Sequence, residues 1–167
     1  MTIHRGRARG QSLVEFALVL PIFLVVVLGI FDLGRAVFAY NTLTNAAREG
    51  ARLAIVNQNV ASVSSRTVNQ AISLGLTSAD VTVHYYRDDG TIPTSSDPLP
   101  ADDLACAGSV PLDCVVVVRA SYSWTAFTPG IGQLVGPKTL TATSVQPIEF
   151  SCPNATVTAA ANCPRQP

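Results

Sequence analysis

The chain has 167 residues, 48% of them hydrophobic, with eleven basic and eleven acidic side chains and no net charge. That length suffices for one modest domain plus an appendage. Three arginines, Arg5, Arg7 and Arg9, crowd the first ten residues without an acid, and setting them aside leaves eight basic against eleven acidic side chains. A mildly acidic body argues against a nucleic-acid partner, which needs a basic face to neutralise phosphates.

The basic leader, residues 1–10, is followed by an apolar stretch. Leu13 to Phe31 is nineteen residues long and its one charge is Glu15. At 1.5 Å per residue it measures roughly 28 Å, close to the thickness of a bilayer core. A helix apolar all round is poorly suited to a soluble surface. A cleaved secretory signal is the closer rival, but this run is longer than a usual signal core and no A-x-A-like site follows it. The reading is a transmembrane helix over residues 11–31. The arginines flank its start, so that end is expected in the cytoplasm and everything after Asp32 outside it.

Helical character continues without proline from Asp32 to Asn59. Leu33, Ala36, Val37, Tyr40, Leu43, Ala47, Ala51 and Ala54 recur at three- and four-residue steps, the spacing of one helix face. Asp32 with Arg35 and Glu49 with Arg52 are i,i+3 pairs. Joined to the membrane segment, residues 32–59 extend a single helix to about 45 residues, on the order of 65–70 Å. Ala39, Ala46, Gly50 and Ala54 form a second, small-residue stripe suited to close helix packing. A glycine inside a helix costs roughly 1 kcal/mol relative to alanine, so close backbone approach is expected at Gly50.

Residues 60–167 read as an extracytoplasmic α+β domain. A short helix is expected over Ser64 to Leu74, with Val68, Ala71 and Ile72 inward and Gly75 as its stop. Val81, Val83 and Tyr85 alternate with Thr82, His84 and Tyr86 in a strand, and Asp89-Gly90 is a hairpin-type turn signal. Four prolines mark Pro93 to Pro111 as loop. A long strand is expected over Cys114 to Phe127 and a third over Lys138 to Phe150. The fold class is therefore α+β: a long amino-terminal helix, a short helix and a small antiparallel sheet.

The four cysteines, Cys106, Cys114, Cys152 and Cys163, all lie in the domain expected outside the cytoplasm, where disulfides form. Four cysteines allow three pairings, and proximity favours Cys106–Cys114 and Cys152–Cys163. No C-x-x-C or Cys/His cluster points to metal or thiol redox chemistry. No G-x-S-x-G, H-E-x-x-H or phosphate-binding loop is present. His84 reads as a half-exposed strand residue, and the aspartates near 88–89 and 102–103 as solvated turn residues. Asn154-Ala155-Thr156 fits a glycosylation sequon. The sequence offers no catalytic group, cofactor or metal site.

Glu15 needs a reason, because acids are disfavoured within a bilayer, by ~2.5–3.5 kcal/mol at its centre. Snorkelling to cytoplasmic water is the plain account. A sharper one involves Gly10. A cut after Gly10 would place the new amino terminus of Gln11 one helical turn from Glu15, to be neutralised within one chain or between stacked neighbours. The same cut removes the three leader arginines. Pro21 leaves the Ala17 carbonyl without its helical partner, so the helix can kink there.

The stretch "GQSLVEFALVLPIFLVVVLGIFDLGRAVFAYNTLTNAAREGAR", Gly10 to Arg52, resembles the TadE-like family of Flp/Tad pilus assembly proteins. Gly10 to Phe16 looks like that family's prepilin-peptidase site. The "LVLP", "DLGRA" and "AAREGAR" segments add to the likeness. The resemblance implies a minor pilin or pseudopilin without enzymatic activity, cut between Gly10 and Gln11 by a membrane aspartic peptidase. It also implies other pilus-assembly subunits as partners, at the bacterial inner or cytoplasmic membrane, with Glu15 setting subunit registry. An uncleaved, signal-anchored binding or adhesion module is the alternative.

Overall fold

A computed structural model of the chain describes residues 8–88, 97–99, 114–129 and 131–148. Helix α1 (Ala8–Val56) is followed by α2 (Val60–Gln70) and two 3-10 turns, Ile72–Leu74 and Ser78–Asp80. Strand β1 (Val81–Arg87), strand β2 (Cys114–Trp124), the short helix α3 (Ile131–Val135) and strand β3 (Lys138–Pro147) complete the order. The strands form an antiparallel sheet in the order β1-β2-β3, so the class is α+β, as expected.

The chain divides into two compact units. The larger comprises Phe38–Trp124 and Thr139–Pro167. Here Leu43, Ala46, Ala47, Ala51 and Ala54 of α1 share one core with Val63 of α2, Val81, Val83 and Tyr85 of β1, and Val116, Val118 and Ala120 of β2. Strand pairing sets Val83 opposite Val118 and Tyr85 opposite Val116, so one face of the sheet presents a run of β-branched and aromatic side chains to the helices. The alternate residues Val115 and Val117 turn the other way and pack with Tyr86, Leu99 and Val145. Being buried on both faces, β2 reads as a continuous apolar run rather than an alternation. Each fully buried valine or leucine contributes roughly 1.5–3 kcal/mol.

Helix α2 starts at Val60, earlier than the expected Ser64. Asn59 is its N-cap: the side-chain oxygen accepts the Ser62 N–H at 2.9 Å. The helix ends at Gln70 and tightens into the 3-10 turn Ile72–Leu74, which stops at Gly75 with φ +67°. That tightening shortens the turn from 3.6 to 3 residues, so the inward face is lost. Ala71 is buried and Val68 packs on the core, but Ile72, expected inward, is 78% exposed. Strand β3 ends at Pro147, which has no N–H to give to a ladder.

Among the charged pairs of α1, Asp32 and Arg35 stand 3.4 Å apart, as their spacing suggests. Glu49 does not take Arg52 as its bonded partner. Arg66 of α2 reaches across and bonds it at 2.5 and 3.2 Å. Cys114 is buried and disulfide-bonded. The other three cysteines, the Asp89-Gly90 turn and the Asn154 sequon lie outside the described residues.

The smaller unit comprises Met1–Val37 and Thr125–Lys138. It holds the apolar part of α1 together with α3 and the loops flanking it. Pro21 lies inside α1, and the helix runs through it.

Candidate functional site: the amino-terminal helix

Helix α1 is long and apolar enough to cross a membrane, and none of its most apolar window is buried within the fold. Phe16, Leu18, Val19, Ile22, Phe23, Ile30 and Phe31 are all exposed. A core helix of a soluble protein would bury such a surface; a membrane anchor leaves it for lipid.

Gly10 is the third residue of α1 and Gln11 the fourth. Both residues are exposed. A Cβ added at Gly10 would meet nothing within 4 Å. Packing therefore gives no reason for glycine at this position. Gly29 and Gly34 are as open, but Gly10 alone stands between the arginine leader and the carboxylate of Glu15. The Gln11 side-chain amide donates to Glu15 Oε1 at 3.4 Å, one helical turn away. The two residues named for processing and registry thus lie on one exposed face.

Gly50 is the opposite case. A Cβ there would collide with the hydroxyl oxygen of Thr67 and approach Val118 Cγ1 to 3.3 Å. Thr67 is fully buried, and its hydroxyl donates to the Val63 carbonyl at 2.9 Å, so it cannot readily turn away. Ala39, Ala46 and Ala54 are buried as well. Within the larger unit, Ala46 and Ala54 join the core that α1 shares with α2 and the sheet.

The contacts of Asp32 go beyond what sequence reasoning proposed. The Phe127 N–H donates to Oδ1 at 2.9 Å, while the Thr128 N–H and hydroxyl donate to Oδ2 at 2.9 and 2.6 Å. Asp32 is 6% exposed. The Thr128 hydroxyl and the Phe127 N–H, then the Thr128 N–H and the Arg35 charge, hold its carboxyl below the ordinary 3.8, against a desolvation that raises it. Beyond the clamp the loop turns tightly. Gly132 donates to the Thr128 carbonyl at 3.1 Å, and a Cβ on it would stand 2.6 Å from the Ala126 carbonyl oxygen. An acid directly after the apolar run, followed far along the chain by "FTPGIG", was the available signal.

His84 is half-buried in β1. An open groove of about 510 Å³ between the end of α1 and α2 is lined by Leu53, Asn59, Ala61, Ser62, Ser65, Arg66 and Asn69, with neither an acid nor a nucleophile–base pair. Among the described residues no group of three His, Cys, Asp or Glu side chains is placed to hold a metal ion.

No curated protein and no solved structure matches the chain. Over residues 10–52, from the candidate cleavage glycine to Arg52, the chain matches the family model of TadE-like proteins.

Proposed function

We propose that this protein is a structural assembly subunit, a minor pilin or pseudopilin, of a Tad/Flp-type pilus or a related secretion machine. The observation that carries the reading is the TadE-like match beginning at Gly10, a glycine that the fold does not require and leaves open. In this account a prepilin peptidase cuts between Gly10 and Gln11. The cut removes Arg5, Arg7 and Arg9 and frees an amino group beside Glu15.

The ammonium of Gln11 and the carboxylate of Glu15 then neutralise one another, within the chain or between neighbours. An ion pair in a low-dielectric setting rewards the register that brings the charges together, because either charge left alone is costly there. Loss of the leader charges also eases withdrawal of the helix from the bilayer, and Pro21 lets it bend as it leaves. The α+β domain stands outside the cytoplasm, with its cysteines in disulfides. Its role is assembly rather than catalysis.

The test is the intact mass and amino-terminal residue of the protein from native membranes, with and without the prepilin peptidase. A start at Gln11 that depends on the peptidase is the expected result. A chain retaining its leader in both strains would refute processing and leave a permanently tethered binding module.

A further inference from the structure

The Asp32 clamp holds an aromatic side chain in an unusual place. Phe127 gives its backbone N–H to Asp32 at 2.9 Å, yet it is 78% exposed. Ordering a backbone costs entropy, and a phenyl ring left in water returns none of it through burial. Asp32 directly follows Phe31, the last residue of the nineteen-residue apolar run. The loop is therefore tied to α1 at the point where the helix emerges from hydrocarbon.

The surroundings within this unit agree with that level. Leu33 and Val37 remain exposed on α1 just past Asp32, so its apolar surface continues from the membrane segment to the height of the loop. Arg35 and Lys138 are exposed cations of the same unit. An exposed phenyl ring suits the boundary between headgroups and acyl chains, where interfacial segments bury Phe and Leu, and the exposed Arg35 beside Asp32 suits the phosphates.

We propose that the Asp32-held loop is a second membrane contact, with Phe127 docking in the phospholipid headgroup region of the leaflet from which α1 emerges. The occupant is lipid because Leu33 and Val37 carry the exposed apolar surface of the spanning segment past Asp32. The proposal rests on α1 being the membrane anchor and goes beyond the pilin reading, since it holds whether or not Gly10 is cleaved. Its consequence is positional: two contacts at one interface set the height of the helix and resist sliding.

The test uses the full chain in vesicles of phosphatidylethanolamine and phosphatidylglycerol. Trp124→Phe removes the native indole and Phe127→Trp places the reporter. A nitroxide in the headgroup should quench the emission strongly, a nitroxide at the acyl-chain end should spare it, and Asp32→Ala should abolish that preference. Emission quenched by neither, from protein that still floats with the vesicles, would overturn the proposal alone. Protein that no longer floats would overturn the anchor as well. A second measurement leaves Trp124 in place: a benzophenone amino acid at position 127 should photo-cross-link to phospholipid. A cross-link to a second copy of the chain instead would assign this face to subunit packing and overturn the lipid proposal.

Discussion

Asp32 accepts the hydroxyl of Thr128 at 2.6 Å across 96 positions of the chain, and it takes the Thr128 N–H on the same carboxylate oxygen. A carboxylate that receives three hydrogen bonds from one loop acts as a peg. It converts the point where the apolar run of α1 ends into the attachment point of residues 125–138.

The peg has a defined pH dependence. Because the folded carboxyl is held below 3.8 by Thr128 and Phe127, its contribution is complete above the unfolded value and is lost as pH falls through the lowered folded value. Protease sensitivity of the Thr125–Lys138 loop should therefore stay low at mildly acidic pH and rise only below 3.8. Asp32→Asn should expose the loop at neutral pH as well, because one amide group cannot accept from all three donors. Limited proteolysis followed by mass spectrometry reads both outcomes. A loop released at pH 5 in the unmodified protein would contradict the arrangement.

Gly50 and Thr67 make a pair whose coupling can be measured. Gly50→Ala should destabilise the protein by about 1–3 kcal/mol, as overpacking does, since the new methyl meets the Thr67 hydroxyl. With Thr67→Ala in place the collision is gone and only the tight approach of Val118 Cγ1 remains, so alanine's better helix propensity, about 1 kcal/mol, should offset most of the cost. Thermal melts of the four proteins in detergent form a double-mutant cycle. Additive effects would show that the close approach does not govern this position.

The ion pair of Glu49 distinguishes two arginines. Arg66 is the first cause of its lowered carboxyl pKa and Arg52 the last, a charge without a hydrogen bond. Arg66→Ala should lower Tm slightly and the loss should shrink in high salt, whereas Arg52→Ala should do less. Equal effects would mean that proximity along α1 matters as much as the bond to α2.

The amino-terminal residues separate processing from assembly. Gly10→Val should leave uncleaved precursor on an immunoblot, because the protease site would carry a branched side chain where the fold leaves open space. Glu15→Ala should be cleaved normally and yet fail to support piliation. Normal pili from Glu15→Ala would reduce the acid to a snorkelling residue.

The long helix, its apolar half, the strand positions and the α+β class were readable in the residues, because they depend on periodicity, run length and β-branching, which are local properties. Helix α2 ends at Gln70 rather than at the expected Leu74, and Ile72 turns outward, because a 3-10 turn changes the period by less than one residue, too little to see in eleven. Gly50 announced a close approach but not its neighbour. Thr67 and Val118 come from α2 and β2, and only packing brings them to the same point.

Asp32 shows the boundary most clearly. Its spacing to Arg35 marked an ion pair, and that pair exists at 3.4 Å. The shorter bonds run to Phe127 and Thr128, and they form because folding returns a distant loop to the helix. Local order along a chain encodes period and charge, whereas a contact across 96 positions has no period to reveal it.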